Sequence, residues 1–445
     1  MPAPDDVYKH DVDFTTLALQ YPDFAKKLKS NRQLDFSDPE SVRQLTKTLL
    51  HRDFDIAIDL PEDRLCPPVP NRFNYILFIQ RLLDCTSPDF RDGYNPDRQV
   101  IGLDVGTGAS AIYPLLACQQ RPKWLFLATE IDDKSRMYAE KNIATNMLQS
   151  RIRLLSTDIT GAELIPSKQL ERFDRIDILT TNPPFYESQE SMLESSRSKS
   201  RPANSSCTGA PVEMITPGGE VSFVSRLIDE STLSTNRTRI QWFSAMLGKL
   251  SSVGFVVETL RQKRCTNFAV TEFIQGQKTR RWCVAWSWFG FRPSSAVARS
   301  VGSGVEKKFL PPPTDIEFDV HADMATLEIR TGEEIGKLDV LWKYVPARRA
   351  GMLMSKGGDV WSRKARRRRV HQDHEMADRD DDHEKDEKDE EQEPALVARI
   401  TLSAAVVVDS RVAGSAKTNV HIRHLQGQDS VLFESFCGWL KRKIS

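Results

Sequence analysis

Apolar residues recur at helical spacing near the start of the chain: Phe14, Leu17, Ala18, Tyr21 and Phe24 predict an amphipathic helix. Ser37-Asp38-Pro39-Glu40 has the S-x-x-E of a capping box with a proline in the first turn, so a helix through Val42, Leu45, Leu49 and Leu50 is expected. Asp55-Ile56-Ala57-Ile58-Asp59-Leu60 alternates and reads as a short strand. The proline-rich Cys66-Pro67-Pro68-Val69-Pro70 is a loop, and an amphipathic helix through Ile76, Phe78, Ile79, Leu82 and Leu83 follows Asn71-Arg72-Phe73-Asn74-Tyr75.

From Val100 the period changes. Apolar runs read as buried strands at 100–104, 124–130, 152–155, 176–180 and 240–247, with helical segments between several of them, including 134–147 and one opening at Glu220. Two further strands, 271–276 and 282–288, are expected to be joined by a hairpin turn holding Lys278, Arg280 and Arg281, with the tryptophans in the core or on the sheet face. Strands alternating with helices argue for an α/β, doubly wound fold. Residues 187–219 are rich in Ser, Pro and Gly and read as a long mobile loop. A composition break over 291–313 reads as a linker. Beyond it, 314–445 reads as a small α+β accessory region: strands at 316–320, 326–329, 395–408 and 418–425, and a closing helix through Val431, Leu432, Phe436, Trp439 and Leu440. A charged linker, 357–394, splits it; its basic run 363–369 and acidic run 373–393 are expected to be disordered.

Two stretches carry candidate chemistry. The first is Asp104-Val105-Gly106-Thr107-Gly108-Ala109-Ser110, where a strand turns into a helix. Glycines there let a ligand approach the backbone closely. Glu130 ends the next strand, at the separation where an acidic residue binds ribose hydroxyls in doubly wound folds. Thr157, Asp158 and Thr160 follow the third strand, where an adenine contact and an ordinary turn are both open readings. The second stretch is Asn182-Pro183-Pro184-Phe185. Both Asn182 and Pro183 precede a proline and are pushed into extended backbone, and each proline fixes its own φ. A proline turn closing a strand is the plain reading. With a cofactor loop upstream, the chemical reading gains: two carbonyls, from the Asn182 side chain and the Pro183 backbone, accept the hydrogens of a planar amino group, and the Phe185 ring stacks on the body that bears it. Together the two stretches favour S-adenosylmethionine over a nicotinamide cofactor.

Charge is balanced, with 62 basic and 62 acidic residues, but it is clustered. Lys26, Lys27, Lys29 and Arg32 form a basic group after the first helix, readable as a solvated helix end or as phosphate contacts. The basic run 363–369 likewise reads as an RNA contact, a nuclear-localisation signal or a partner of the acidic run. Seven scattered cysteines without a C-x-x-C pair argue against a disulfide framework and a zinc site, and for a reducing compartment, nucleus or cytoplasm. No leader peptide or membrane span is expected, and no metal site.

Residues from about 14 to 289 resemble the methyltransferase-like protein 16 family, RNA adenine-N6 methyltransferases acting on U6 small nuclear RNA, related to bacterial ribosomal-RNA adenine-N6 methyltransferases. The resemblance rests on Tyr21-Pro22-Asp23-Phe24, Ile58-Asp59-Leu60-Pro61, Arg72-Phe73-Asn74-Tyr75, the two stretches above, Ala128-Thr129-Glu130-Ile131-Asp132, Met246-Leu247-Gly248-Lys249 and Thr271-Glu272-Phe273. It implies a Rossmann-like class I fold over 71–290, an N-terminal helical RNA-binding segment over 1–70 and a structured-RNA substrate with an unstacked adenine. It implies cofactor contacts at Arg72, Gly106, Ser110, Glu130 and Asn182, with Thr160 a weaker one and Asp104 beside them. It makes Asn182, Pro183, Pro184 and Phe185 catalytic and Lys26, Lys27 and Lys29 RNA-binding, in the nucleus. A protein glutamine-N5 methyltransferase, which shares the Asn-Pro-Pro-aromatic pattern, and a non-catalytic RNA-binding protein on the same fold are the alternatives.

Overall fold

The computed structural model describes residues 7–157, 163–197, 209–275, 279–302, 304–365, 367, 393–404 and 417–445. The chain divides into two compact units. The first comprises residues 1–84, 92–289 and 297–311; the second comprises 85–91, 290–296 and 312–445.

The first unit is built on an eight-stranded sheet. Its strands are β1 (Val100–Val105), β2 (Trp124–Thr129), β3 (Ile152–Leu154), β4 (Ile176–Thr181), β5 (Ile240–Leu247), β6 (Asn267–Gln275), β7 (Thr279–Ser287) and β8 (Arg299–Ser300), in the order β3-β2-β1-β4-β5-β7-β6-β8. The first five run parallel, and β7 is antiparallel to both β5 and β6. The parallel strands are buried on both faces, which explains their continuous apolar runs. The N-terminal helices are part of this unit's core. Leu17, Phe24, Leu49, Leu50 and Phe54 join one apolar cluster with Phe73, Ile76 and Ile79 of the helix Val69–Asp84 and with sheet residues Val100 and Phe126.

Several local expectations are corrected. The helix Pro39–Phe54 is capped by Asp38, one residue past the expected Ser37; the Asp38 carboxylate accepts from Glu40 N at 3.3 Å and Ser41 N at 3.0 Å. Residues 55–60 join no sheet: Asp55, with φ of +54°, closes the preceding helix, and 56–60 form no strand. Their backbone is satisfied by side chains instead: Asn146 exchanges hydrogen bonds with Ala57, and Asn142 with Asp59, at 2.7 to 2.9 Å. Two side-chain amides thus take the place of a neighbouring strand, which a period-two pattern alone does not distinguish. Arg280 and Arg281 lie within β7, not in a turn; residues 276–278, Lys278 among them, are outside the described residues. The expected loop 187–219 contains the helices Gln189–Arg197 and Pro211–Met214, and 198–208 lies outside the described residues. The expected linker 291–313 is divided between the units; within it β8 pairs parallel with β6.

The second unit is a five-stranded antiparallel sheet of β9 (Asp315–Val320), β10 (Leu341–Val345), β11 (Ala350–Ser355), β12 (Leu396–Ala404) and β13 (Thr418–Gln426), in the order β10-β11-β12-β13-β9. Helices Met324–Gly336 and Ser430–Ile444 pack with it, joining Leu327, Ile335, Phe433 and Phe436 to the sheet residues Ile400 and Ile422 in one apolar cluster. Residues 326–329, expected as a strand, are helical. Asp323 caps that helix by accepting from Thr326 N at 3.0 Å, and Leu327, Thr331 and Ile335 are buried at four-residue steps. Residues 363–365 and 367 of the basic run, expected to be disordered, are helical; 366, 368 and 369 and the acidic run up to 392 lie outside the described residues.

Candidate active site

The site is built where β1 and β4 lie side by side. Register pairs Asp104 with Thr180 and Val105 with Thr181. Two threonine hydroxyls fasten the strand ends together: Thr180 donates to Asp104 Oδ1 at 2.8 Å and Thr181 donates to the Val105 carbonyl at 2.9 Å. The first candidate stretch begins at Asp104 and the second directly after Thr181, so the glycine loop and Asn182-Pro183-Pro184-Phe185 leave the sheet as neighbours.

The glycine loop is fixed from β2. Thr107 N donates to the Thr129 carbonyl at 2.9 Å and Gly106 N to the Thr129 hydroxyl at 3.3 Å. Gly106 and Gly108 have φ of +73° and +66°, backbone that favours glycine, and nothing lies within 4 Å of where a Cβ on Gly106 would stand. Glu130 accepts from Gly108 N at 2.8 Å and from Asp132 N at 2.9 Å, and burial raises its carboxyl above the usual range. Ser110 is buried just before the helix Ile112–Gln120. Asp104 is fully buried. Burial pushes its carboxyl up to about 7, against the hydroxyl hydrogen bonding that includes Thr180, with the Glu130 charge adding and the Arg72 charge opposing. Thr160 lies outside the described residues; Thr157 donates to the Glu130 carbonyl at 2.8 Å.

The Asn-Pro-Pro-Phe turn is held from the helix Val69–Asp84. Arg72 is buried and its Nη1 faces three acceptors: the Tyr113 hydroxyl at 2.9 Å, Asn182 Oδ1 at 3.2 Å and Met246 Sδ at 3.1 Å. Below it, the Ser244 hydroxyl donates to the Leu179 carbonyl at 2.8 Å, so the Tyr75 hydroxyl, 2.8 Å away, donates to Ser244. Tyr75 in turn accepts from Thr181 N at 3.4 Å. Phe185 is half-buried, with the Arg281 guanidinium carbon 5.7 Å from its ring centroid. Tyr113, Met246 and Tyr75 were not singled out from sequence; Met246 and Tyr75 lie within family-like stretches, but a stretch gives no role without the geometry.

Lys26, Lys27 and Lys29 are remote in sequence from these groups. Each is ion-paired: Lys26 to Asp23 at 2.8 Å, Lys27 to Glu40 at 2.8 Å and Lys29 to Asp35 at 2.9 Å. Among the described residues no cluster of His, Cys, Asp and Glu has metal-ligand geometry, and no helix is long and apolar enough to cross a membrane.

In doubly wound sheets ligands bind beyond the carboxyl ends of the strands, where the strand order reverses. Here that place carries a glycine loop with open space at Gly106, with Glu130 bonded to Gly108 N and Glu213 Oε1 3.9 Å from where a Cβ on Gly108 would stand. A polar group of nucleoside size with hydroxyl and ammonium donors suits it. The fold and cleft are those of a Rossmann-like, S-adenosylmethionine-dependent methyltransferase. A family model described as RNA methyltransferase matches residues 3–290, and the chain belongs to that family.

The chain is 36% identical over 344 residues to the U6 small nuclear RNA (adenine-(43)-N(6))-methyltransferase of Schizosaccharomyces pombe, covering 76% of this chain and 83% of that one. It is 40% identical over 286 residues to the RNA N(6)-adenosine-methyltransferase METTL16 of Homo sapiens, covering 62% of this chain and 48% of that protein, about half its length. The catalytic domain of human METTL16 in complex with MAT2A 3'UTR hairpin 1 superposes with a TM-score of 0.57 at 36% identity, covering 67% of this chain and 98% of that one. The human N-terminal domain in complex with SAH gives a TM-score of 0.52 at 35% identity, over 65% and 99% of the two chains.

Proposed function

We propose that this chain methylates N6 of an unpaired adenine in structured RNA, with S-adenosylmethionine as methyl donor and U6 small nuclear RNA as the substrate. The observation that carries the reading is the contact between Arg72 and Asn182. It orients the Asn182 carbonyl at the strand end next to the glycine cradle, with Phe185 three residues on. The names of the relatives from Schizosaccharomyces pombe and Homo sapiens support the substrate, and the RNA hairpin and SAH in the human structures support both ligands.

When bound, S-adenosylmethionine supplies an electrophilic methyl group. Asp104, Gly106, Ser110 and Glu130 would hold it; Glu130 keeps acceptor capacity for ribose hydroxyls beyond its two backbone contacts. The amino nitrogen of adenine is a weak nucleophile because its lone pair is delocalised into the ring. Asn182 Oδ1 and the Pro183 carbonyl accept hydrogen bonds from its two N–H groups, which favours a tetrahedral nitrogen and stabilises the positive charge that develops there. The Arg72 guanidinium holds the Asn182 amide with its oxygen fixed, so no reorganisation is needed as the reaction proceeds. No base is required beforehand, because the proton becomes acidic only once nitrogen carries the charge. As the N–CH3 bond forms, the S–CH3 bond breaks; the neutral thioether would be the leaving group, and the proton is then lost to water. Phe185 stacks on the extruded base, so the target adenine must lie in a loop or bulge where unstacking costs least. Lys26, Lys27 and Lys29 contribute phosphate contacts, and the compartment is the nucleus. A tagged chain excluded from the nucleus would contradict that location.

The test is methyl transfer from labelled S-adenosylmethionine to total RNA, read by nucleoside mass spectrometry. N6-methyladenosine made by wild type and absent with Asn182→Ala is the expected result. Label in protein, as methylglutamine, with none in RNA would overturn the reading.

A further inference from the structure

Behind Phe185 lies a carboxylate that the chemistry above does not use. Glu220 is the second residue of the helix Gly219–Ser231 and is buried. Its Oε2 accepts from Gly248 N at 2.7 Å; its Oε1 accepts from Lys249 N at 3.2 Å and from the Ser252 hydroxyl at 2.6 Å. These donors open the helix Leu250–Gln262, whose N-cap, Lys249, has no capping side chain of its own. The carboxylate therefore caps a helix from another element. A serine or aspartate at position 249 would do the same locally without burying a remote charge, whose desolvation is costly. The arrangement asks for a role beyond capping.

That role is visible at Gly248. A Cβ built there would stand 3.0 Å from Phe185 Cδ1, 3.3 Å from Phe185 Cε1 and 3.2 Å from Glu220 Oε2. The Phe185 ring thus rests directly on the Gly248 backbone that Glu220 holds. The other end of the clamp meets the same residue. Gly218 and Gly219, with φ of +73° and +63°, bring the helix start against the turn, and a Cβ on Gly219 would lie 3.5 Å from the Phe185 carbonyl oxygen and 3.0 Å from Glu187 Cγ. Tyr186 is pinned on its far side through its backbone, donating to the Met214 carbonyl and accepting from Thr216 N, both at 3.0 Å.

We infer that Glu220 is a positioning residue for the methylation reaction: through Gly248 it sets the place of the Phe185 ring and so the depth at which the target base stacks. The inference rests on the adenine-stacking role proposed for Phe185. Glu220→Gln keeps the shape and one acceptor but removes the charge that holds both backbone amides. It is expected to lower single-turnover methylation of RNA about ten-fold or more, the scale of a small misplacement at a reacting centre. The dissociation constant for S-adenosylmethionine should stay within about two-fold, because the glycine cradle is untouched. The decisive measurement is a cycle with Phe185→Ala, run with enzyme in excess over RNA. If Glu220 acts through the ring, the double variant is no slower than Phe185→Ala alone. Losses that multiply would overturn the inference and leave Glu220 as a helix cap only, as would a Glu220→Gln enzyme of wild-type rate. Gly248→Ala tests the same contact should Glu220→Gln fail to fold. Its methyl group is expected to slow the wild type and to be harmless beside Phe185→Ala; equal losses in both backgrounds would count against the inference. A wild-type enzyme that methylates no adenine in RNA defeats the proposed function instead, so the two failures are distinct.

Discussion

The Arg72 guanidinium donates to the Asn182 side-chain carbonyl at 3.2 Å across 110 positions of sequence. Arg72 Nη1 carries two hydrogens and faces three acceptors, of which the Met246 thioether is the weakest. Its two hydrogens therefore go mainly to Tyr113 and Asn182. This fixes which atom of the Asn182 amide is the oxygen, and leaves the second lone pair of that oxygen for a substrate. Asn182→Ala is expected to abolish methylation and leave the RNA dissociation constant within about two-fold. Arg72→Ala keeps the acceptor but frees it to rotate, and should lower the single-turnover rate on the order of 10²-fold. Wild-type turnover by Asn182→Ala would remove it from the mechanism.

The three N-terminal lysines are each held by a carboxylate at the surface. Such exposed pairs are screened by solvent and weak, so a phosphate can displace the carboxylate at little cost. Replacing all three lysines by glutamine should flatten the slope of log affinity for RNA against log salt by up to about 2.7, roughly 0.9 for each phosphate no longer neutralised. The amide variants Asp23→Asn, Asp35→Asn and Glu40→Gln should do the opposite and tighten RNA binding at low salt. A salt slope that none of these changes alters would make the lysines ordinary surface.

What could be read from sequence was whatever depends on short-range pattern. The strands β1, β2, β4 and β5 are apolar runs ended by turn residues, and they are where the pattern puts them. The glycine loop and the Asn-Pro-Pro-Phe turn are single stretches whose chemistry survives without tertiary context. Residues 55–60 failed because side-chain amides from a distant helix replace the strand partner. Residues 326–329 failed because four alternating residues fit one turn of helix equally well, and the cap at Asp323 decides. The helix Leu250–Gln262 drew no reading, although Val253, Val256, Val257 and Leu260 keep helical spacing; its cap comes from Glu220, thirty positions upstream, so no local start signal marks it. Contacts such as Arg72 with Asn182 or Glu220 with Gly248 join residues that only the sheet order brings together.

Gly102 illustrates packing that sequence leaves silent. It pairs with Phe126 across β1 and β2, and a Cβ on it would stand 2.4 Å from the Phe126 ring carbon Cζ. Phe126 is itself buried and has little room to move. Gly102→Ala is therefore an overpacking change, expected to destabilise the first unit by about 1 to 3 kcal/mol. Chemical denaturation should show a lowered midpoint, and Phe126→Leu in the same chain should recover part of it. An unshifted midpoint for Gly102→Ala would mean that the ring has space the geometry denies it.

Asp104 links stability to pH with an unusual sign. Burial raises its carboxyl from an ordinary 3.8 to about 7, so between those values the unfolded chain ionises while the folded chain keeps its proton. The folded state then binds more protons, and stability falls as pH rises through this window, reaching a constant penalty above it. About three pH units at about 1.4 kcal/mol each put the full effect on the order of 4 kcal/mol. Asn at this position resembles the protonated acid: it retains an acceptor for the Thr180 hydroxyl and has a donor in place of the acid proton. Asp104→Asn, measured without cofactor, should match wild type in thermal midpoint near pH 4 and exceed it progressively towards pH 7, with no further gain above. A difference that is constant from pH 4 to pH 8 would show that Asp104 is ionised throughout, with its charge balanced inside the fold.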